Sequence, residues 1–449
     1  MARFILDPTK TDRMSVRRLA SSPLNSLVGF LSVALLVFLP FTSLFAPLPW
    51  LSLSLFILIV LSLVFAVTQV FCPYPIRITM FGFDDYLIGV LLAWWSFMGM
   101  LASNSHTVFY VGLYFVVFGL GYVTLKMCLD SNLSESTLLR ANLVGVLSAS
   151  AFSVADFAFF LGLGIDIQQG LPRTTEASAL YLGFLPRAYG PAEEPTILVY
   201  YLNCMGPLAI WSSRRFLPIM WVRHLSIGVI VLAWFLTLSI AGYVFLAVSA
   251  AFWLSLSRIS LTRNVSIAFS PRSLLRLKRA LLIVALAVVF GAVAIHENHD
   301  EVSHGFDQAA VAISPLVKKV SFGDVSSANQ RIERWMASID QIANHPLIGR
   351  GPGFFSSRDQ SSSINWYLFL TTEGGPVTLF LILAIIGVWH VRVLSSDLDW
   401  RIPALIGLTA SAMHFIVIST IQAYFMWVLM ALAISSLSRP HIASRKSEE

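Results

Sequence analysis

Uniformly apolar segments recur along this chain from Leu24 to Leu437. Most run for about 17 to 25 residues, the length that a helix needs to cross a hydrocarbon core of roughly 30 Å. Inside such a core a segment must satisfy its own backbone hydrogen bonds, which a helix does. Only 12% of the 449 residues are charged, against about a quarter in an ordinary soluble domain. The sequence therefore predicts an all-α, polytopic membrane helix bundle.

The apolar segments predict about twelve transmembrane helices, including two tight pairs at 224–257 and 402–437. Each pair is too long for one ordinary crossing and just long enough for two short ones. The predicted helices cover 24–46, 49–70, 86–103, 107–127, 139–163, 195–212, 224–239, 241–257, 280–296, 365–389, 402–419 and 420–437.

The cationic residues predict the orientation of the bundle. With the N-terminus inside, 22 of the 30 Lys and Arg residues fall on the cytoplasmic side, and the other 8 lie in two long outer loops. This is the positive-inside distribution, and an even helix count places both termini in the cytoplasm. Contact with anionic lipid explains the basic pI better than nucleic acid does. The predicted segments are a cytoplasmic N-terminus, three groups of helices separated by two periplasmic loops, and a cytoplasmic tail, at 1–23, 24–163, 164–194, 195–296, 297–364, 365–437 and 438–449.

Candidate metal ligands are few. The three cysteines have neither disulfide nor metal-type spacing. His296, His299 and His304 lie near acidic residues, but their spacing matches no zinc pattern, and a solvated loop is the better interpretation. We therefore expect no metal ion and no cofactor.

The second outer loop, 297–364, contains a predicted helix with an apolar stripe at Ile332, Trp335, Ile339 and Ile342. This helix is expected to end near His345-Pro346 and to hold its arginines over the mouth of the bundle as a lid. The Gly-Arg-Gly-Pro-Gly sequence that follows, 349–353, is either a nest of backbone N–H groups for an anion or a plain helix-ending turn.

Ionisable residues are rare within the predicted helices. Asp156 and Glu373 are the two acids that the pattern places there, both toward the outer face. Transporters that couple to ions or protons need such groups near the middle of the bilayer. A transporter or lipid flippase is therefore a disfavoured alternative.

Four motifs in order resemble the O-antigen ligase and polymerase family. Arg187-Ala188-Tyr189-Gly190 with Glu193-Glu194-Pro195 resembles an early loop motif, and Thr237, Ser239 and Gly242 resemble a weaker Thr-x-Ser-x-x-Gly stretch. The next helix carries Asn365-Trp366-Tyr367-Leu368 and Glu373-Gly374-Gly375 at the family's spacing. The large-loop signature is matched by Arg331, Trp335, Pro346-Leu347, Gly349 and Gly351-Pro352-Gly353.

This resemblance implies a GT-C-like fold and metal-free, inverting glycosyl transfer from an undecaprenyl diphosphate donor. It places the chain in the bacterial inner membrane, with lipid-linked glycan as donor and acceptor, membrane lipids around it, and a chain-length regulator and a flippase as further candidate partners. One position departs from the family. Ligases carry a histidine, thought to be the catalytic base, where this chain has Ile364. The departure favours a polymerase of O-antigen or exopolysaccharide over a ligase acting on lipid A core.

The resemblance and the chemistry of the donor together indicate the site residues. Arg187, then Arg331 and Arg350, are expected to bind the diphosphate, because a guanidinium makes paired, charge-assisted contacts with phosphate. Glu194 is expected to orient the acceptor hydroxyl, and His345 is a candidate base. The further substrate-binding candidates are Arg334, Glu193, Asn365 and Glu373. A non-catalytic assembly protein remains the third alternative.

Overall fold

The computed structural model describes residues 23–42, 51–71, 82–102, 106–164, 181–182, 185–260, 325–357, 364–419 and 424–437. The predicted helix at 280–296, the histidines at the start of the second outer loop and both termini lie outside these residues.

The described chain is helical apart from its turns and one short strand pair. The strand pair joins β1 (Tyr181–Leu182) to β2 (Leu185–Pro186) in antiparallel register. The α-helices are α1 Pro23–Phe38, α2 Leu53–Phe71, α3 Phe83–Leu101, α4 Thr107–Tyr114, α5 Leu125–Asn132, α6 Glu135–Leu163, α7 Pro195–Phe216, α8 Met220–Leu236, α9 Ile240–Ser260, α10 Val325–Asn344, α11 Phe354–Ser357, α12 Trp366–Leu394, α13 Arg401–His414 and α14 Phe425–Leu437; a π-helical segment, Phe115–Thr124, joins α4 to α5.

Length and composition confirm a polytopic helical membrane protein. Among the described residues, 5 helices are long and apolar enough to cross a membrane: Leu53–Phe71, Thr107–Asp130, Glu135–Leu163, Ile240–Ser257 and Trp366–Leu394. The shorter apolar helices include α1, α8 and α14. Both tight pairs are present as separate helices, α8 with α9 and α13 with α14.

Helix α14 lies in the core of the bundle. Nearly every residue from Phe425 to Ser436 is buried, as expected of a helix that is apolar on all faces. Trp427 packs against the rings of Phe118 and Trp389, with centroids 4.8 and 5.0 Å away. Large aromatic rings therefore fix the helices around α14.

A kink in α12 creates the docking point for the second outer loop. Gly375 has φ 72° and ψ 178°, and Pro376 follows it. Proline has no N–H to donate to the carbonyl four residues earlier, so the carbonyl of Thr372 is left without its usual helical partner. The backbone N–H groups of Arg350 and Gly351 donate to the carbonyls of Thr372 and Glu373 at 2.8 and 2.7 Å. The Gly-rich turn thus completes the backbone hydrogen bonding of the broken helix.

The predicted loop helix is confirmed as α10, which ends one residue before His345. It packs along the first turns of α12, with the Thr372 hydroxyl 3.5 Å from the Ser338 carbonyl oxygen. Ser338 and Ile342 are buried. The apolar stripe of α10 therefore faces the bundle, as expected of an amphipathic helix on its surface.

A buried charge cluster at the start of α3 is missing from the sequence-based prediction. Asp84 pairs with Arg392 and accepts from the Tyr122 hydroxyl, while Asp85 pairs with Lys126. The prediction began this helix at residue 86 and so left both acids outside the membrane. Mutual pairing is what allows such charges to be buried together.

Candidate functional site

The segment after β2 docks on the turn between α8 and α9. Arg187 donates from Nε to the carbonyl oxygen of Thr237 at 3.0 Å. The next backbone N–H, that of Ala188, donates to the carbonyl of Leu236 at 2.8 Å. These two bonds fix the direction from which the Arg187 guanidinium enters the site.

Asn203, on α7, holds that turn in place. Its Oδ1 accepts from the Trp234 indole N–H at 2.8 Å, and its Nδ2 donates to the Gly242 carbonyl at 2.9 Å. Glycine is required at position 242, because a Cβ there would lie 2.4 Å from a methyl group of Val199. The Thr-x-Ser-x-x-Gly stretch is therefore a close-packed turn that supports Arg187.

The chain from Gly190 to Pro195 carries the two glutamates into the site. Gly190 has φ +54°, and a Cβ there would lie 1.9 Å from the Ser153 hydroxyl oxygen. The Glu193 N–H donates to the Thr42 hydroxyl at 3.1 Å. Glu194 occupies the position before α7, with Pro195 as the first helical residue, where proline is favoured. The backbone of this segment is thus fixed at both ends.

Electrostatic contacts bring four predicted residues together. Burial raises the pKa of the Glu194 carboxyl above its ordinary value, and the neighbouring Glu193 raises it further. Arg187 and Arg331 both oppose this rise in the Glu194 pKa, as nearby positive charges must. The two outer loops therefore meet at this carboxyl group, with one arginine from each.

His414, at the end of α13, belongs to the same neighbourhood and was not predicted. It is fully buried and lies close enough to Arg331 to interact with its charge. Its ring stacks on Tyr200 at 5.3 Å. The motifs end before residue 390, and the residues around His414 in the sequence are apolar, so only the packing of α13 against α7 identifies it.

Asn365 begins α12 beside His414. Its Oδ1 accepts from the Leu368 N–H at 3.1 Å, and is thus an ordinary N-cap. The N–H of Trp366 donates to the carbonyl of Phe415 at 2.8 Å. Ile364 has φ 54°, a rare backbone conformation for a β-branched side chain.

His345 and Arg350 lie at the other end of α10. Because an α-helix rises 1.5 Å per residue, the backbone of His345 lies roughly 20 Å along the helix axis from that of Arg331. Arg350 donates from Nε to the Gln341 side chain at 3.0 Å and lies over the Phe354 ring. Burial and Arg350 lower the pKa of His345, which borders a cavity of about 340 Å³. The structure does not place this pair beside Glu194.

Glu373 is fully buried at the kink. Its carboxylate faces the backbone N–H groups of Gly353, Phe354 and Phe355. Among the described residues neither of its oxygens reaches full hydrogen-bond geometry. Glu373 therefore joins the Gly-rich turn to α12.

Arg334 is half-buried on α10, and its backbone carbonyl oxygen accepts a hydrogen bond from the Ser338 hydroxyl.

Comparison with known proteins finds a similarity in about a third of the chain, beginning near its midpoint. Residues 225–373 match the family model described as O-antigen ligase. This match covers about a third of the chain, and it is a similarity to the O-antigen ligase family. No curated protein matches the chain.

The matched region runs from α8 into α12 and includes Arg331, Arg350 and Glu373. Arg187 and Glu194 lie before it in the sequence, and His414 lies after it. The match supports a glycosyltransferase-like function of the ligase or polymerase type.

Clusters of possible metal ligands were sought among the described residues. The residues that the structure describes bring together no group of three or more His, Cys, Asp or Glu side chains. The candidates His296, His299 and His304 lie outside the described residues.

Proposed function

We propose that this chain is a membrane glycosyltransferase that polymerises undecaprenyl-diphosphate-linked oligosaccharide units at the periplasmic face of the bacterial inner membrane. The observation that carries the proposal is the convergence of Arg187 and Arg331 on Glu194. The product is O-antigen or exopolysaccharide, and a second copy of the lipid-linked glycan is the acceptor.

The arginines suit the leaving group. When the bond between the donor sugar and the diphosphate breaks, negative charge develops on the phosphate oxygens. Guanidinium groups that are already in position stabilise this charge without reorganising, and loss of one such donor commonly costs about 2.7–4 kcal/mol of transition-state free energy. The bond from Nε to the Thr237 carbonyl oxygen fixes the Arg187 side chain at the site where the donor would bind.

Glu194 suits the acceptor. Its position before Pro195 fixes the carboxyl group at the start of α7. In its ionised form it accepts a hydrogen bond from a sugar hydroxyl and orients that oxygen for attack on the donor carbon. Such positioning is a large part of catalysis when two substrates must meet.

A ligase that transfers glycan to lipid A core is the second candidate, favoured by the description of the matching family. Polymerase is preferred because Ile364 stands where the resemblance places a ligase histidine. Deletion of the gene separates the two. Single repeat units on the cell surface indicate a polymerase, whereas long glycan that stays unattached to core indicates a ligase.

Substitution of Arg187 tests the site. We expect Arg187→Ala to lower elongation of lipid-linked oligosaccharide by about 100- to 1000-fold in purified membranes, the usual effect of removing one such donor. Arg187→Lys should not restore it, because an ammonium group lacks the guanidinium geometry. Arg215→Ala is the matched control, since Arg215 forms a partly exposed pair with Glu135 at 3.7 Å. Normal elongation by Arg187→Ala, at equal protein level, would disprove the site.

A further inference from the structure

His414 is fully buried and His390 is half-buried, and these two histidines of neighbouring helices differ in their hydrogen bonding. His390 has a partner for each ring nitrogen, namely the Ile386 carbonyl and the Thr409 hydroxyl, both at 2.9 Å. This is how a structural histidine is normally satisfied inside a protein. Among the described residues, neither ring nitrogen of His414 has a hydrogen-bond partner.

An unsatisfied buried polar group lowers stability by about 1–3 kcal/mol. The described side chains that pack on the His414 ring are aromatic. Tyr200 stacks on one side of the ring, and Phe245 meets it edge-on at 5.7 Å. The backbone of Thr196 lies beside the ring but does not complete a hydrogen bond. A ring nitrogen kept free at such a cost is available to a ligand.

The position of His414 connects it to the proposed transfer site. Arg331 lies within electrostatic reach of the ring, as it does of Glu194. Thr196 lies two residues after Glu194 in the first turn of α7. The bond from Trp366 N–H to Phe415 O also places the end of α13 beside the start of α12.

We propose that His414 is the catalytic base of the transfer reaction, an inference that rests on the proposed function. The acceptor hydroxyl oxygen forms a bond to the anomeric carbon of the donor sugar. The bond from that carbon to the diphosphate breaks, and its electron pair leaves with the diphosphate. The hydroxyl proton passes to a ring nitrogen of His414, and then to the released diphosphate.

The buried position of His414 suits a base of this kind. Water is excluded from the ring, so its lone pair is not occupied by solvent when the acceptor arrives. In the proposed reaction, the positive charge formed on the ring is balanced by the negative charge of the departing diphosphate.

Two substitutions and one rescue test the proposal. We expect His414→Gln to lower elongation by about 100- to 10,000-fold, the usual contribution of a general base, with an unchanged thermal midpoint in detergent. In His414→Ala, added imidazole should restore a measurable part of the rate. His390→Gln should instead lower the thermal midpoint and keep elongation within a few-fold of the wild type. The exposed His224→Gln should change neither.

Each outcome decides the question. Near-normal elongation by His414→Gln overturns the inference. So does a loss of rate that imidazole does not restore in folded His414→Ala. If Arg187→Ala is inactive while His414→Gln is active, only the role of His414 fails. If Arg187→Ala elongates normally, the proposed site fails, and if the wild type elongates no lipid-linked oligosaccharide, the proposed function fails.

Discussion

The backbone N–H of Gly351 donates a 2.7 Å hydrogen bond to the carbonyl oxygen of Glu373. This bond joins a turn in the second outer loop to a kink inside a predicted membrane helix. Through it, the position of α10, and hence of Arg331, depends on how closely the turn fits against α12. The glycine residues of the turn and those of the kink therefore have to fit closely against each other.

Gly349→Ala should separate the turn from the kink. Gly349 has φ +70°, and a Cβ there would lie 2.6 Å from the Gly375 nitrogen and 2.8 Å from the Glu373 carbonyl oxygen. The φ angle alone costs an L-residue about 1–2 kcal/mol, and the contact with backbone atoms adds to it. We expect a lower thermal midpoint and faster proteolysis in the loop. Gly387→Ala is the control, because nothing lies within 4 Å of its added Cβ. Equal behaviour of the two variants would contradict the docking.

Asn203→Ala should loosen the turn that supports Arg187. The substitution removes the partners of the Trp234 indole N–H and the Gly242 carbonyl. Each buried group left without a partner costs about 1–3 kcal/mol. We expect a lower thermal midpoint together with slower elongation, because the Thr237 carbonyl that holds Arg187 moves. Ser257→Ala removes one exposed hydrogen bond on α9 and should change neither quantity. A stable Asn203→Ala variant with normal elongation would show that the turn does not position Arg187.

The sequence predicted α10 and the grouping of Arg187, Glu194 and Arg331 for different reasons. The helix follows from a local repeat of apolar residues. The three site residues were grouped because of the family resemblance and because arginines suit a diphosphate, since no local sequence pattern connects residues 187 and 331. His414 and the Asp84–Arg392 pair escaped prediction because their contacts are long-range. Asp84 and Arg392 are 308 positions apart, and hydropathy alone assigns an acid beside an apolar segment to solvent.

Lys126→Met should destabilise the fold strongly, because it leaves the Asp85 carboxylate buried without its partner. Both side chains of the pair are almost fully buried, and breaking such a pair typically costs about 3–5 kcal/mol. The thermal midpoint in detergent measures the loss. Arg215→Met breaks the partly exposed pair with Glu135, and an exposed pair contributes about 0–1 kcal/mol.

Asp85→Asn tests whether the cost arises from the unpaired charge. In the Lys126→Met background this second substitution removes the negative charge and keeps an oxygen that can accept from the Gly82 N–H, which donates to Asp85 at 2.7 Å. We expect the double variant to be more stable than Lys126→Met alone. A double variant as unstable as the single one would mean that the lysine stabilises the bundle by packing rather than by charge.

The pH dependence of elongation should depend on Glu193. Burial and Glu193 raise the pKa of Glu194 above its ordinary value of 4.5, and Arg187 and Arg331 limit the rise. In the proposed role Glu194 acts as a carboxylate, so the rate should fall as the pH drops through this raised pKa. Glu193→Gln removes a negative charge that favours the protonated form, so the fall should move to lower pH. Rate–pH profiles of the wild type and Glu193→Gln in matched membranes measure the shift. A profile that moves to higher pH, or does not move, would exclude Glu194 as the group that titrates.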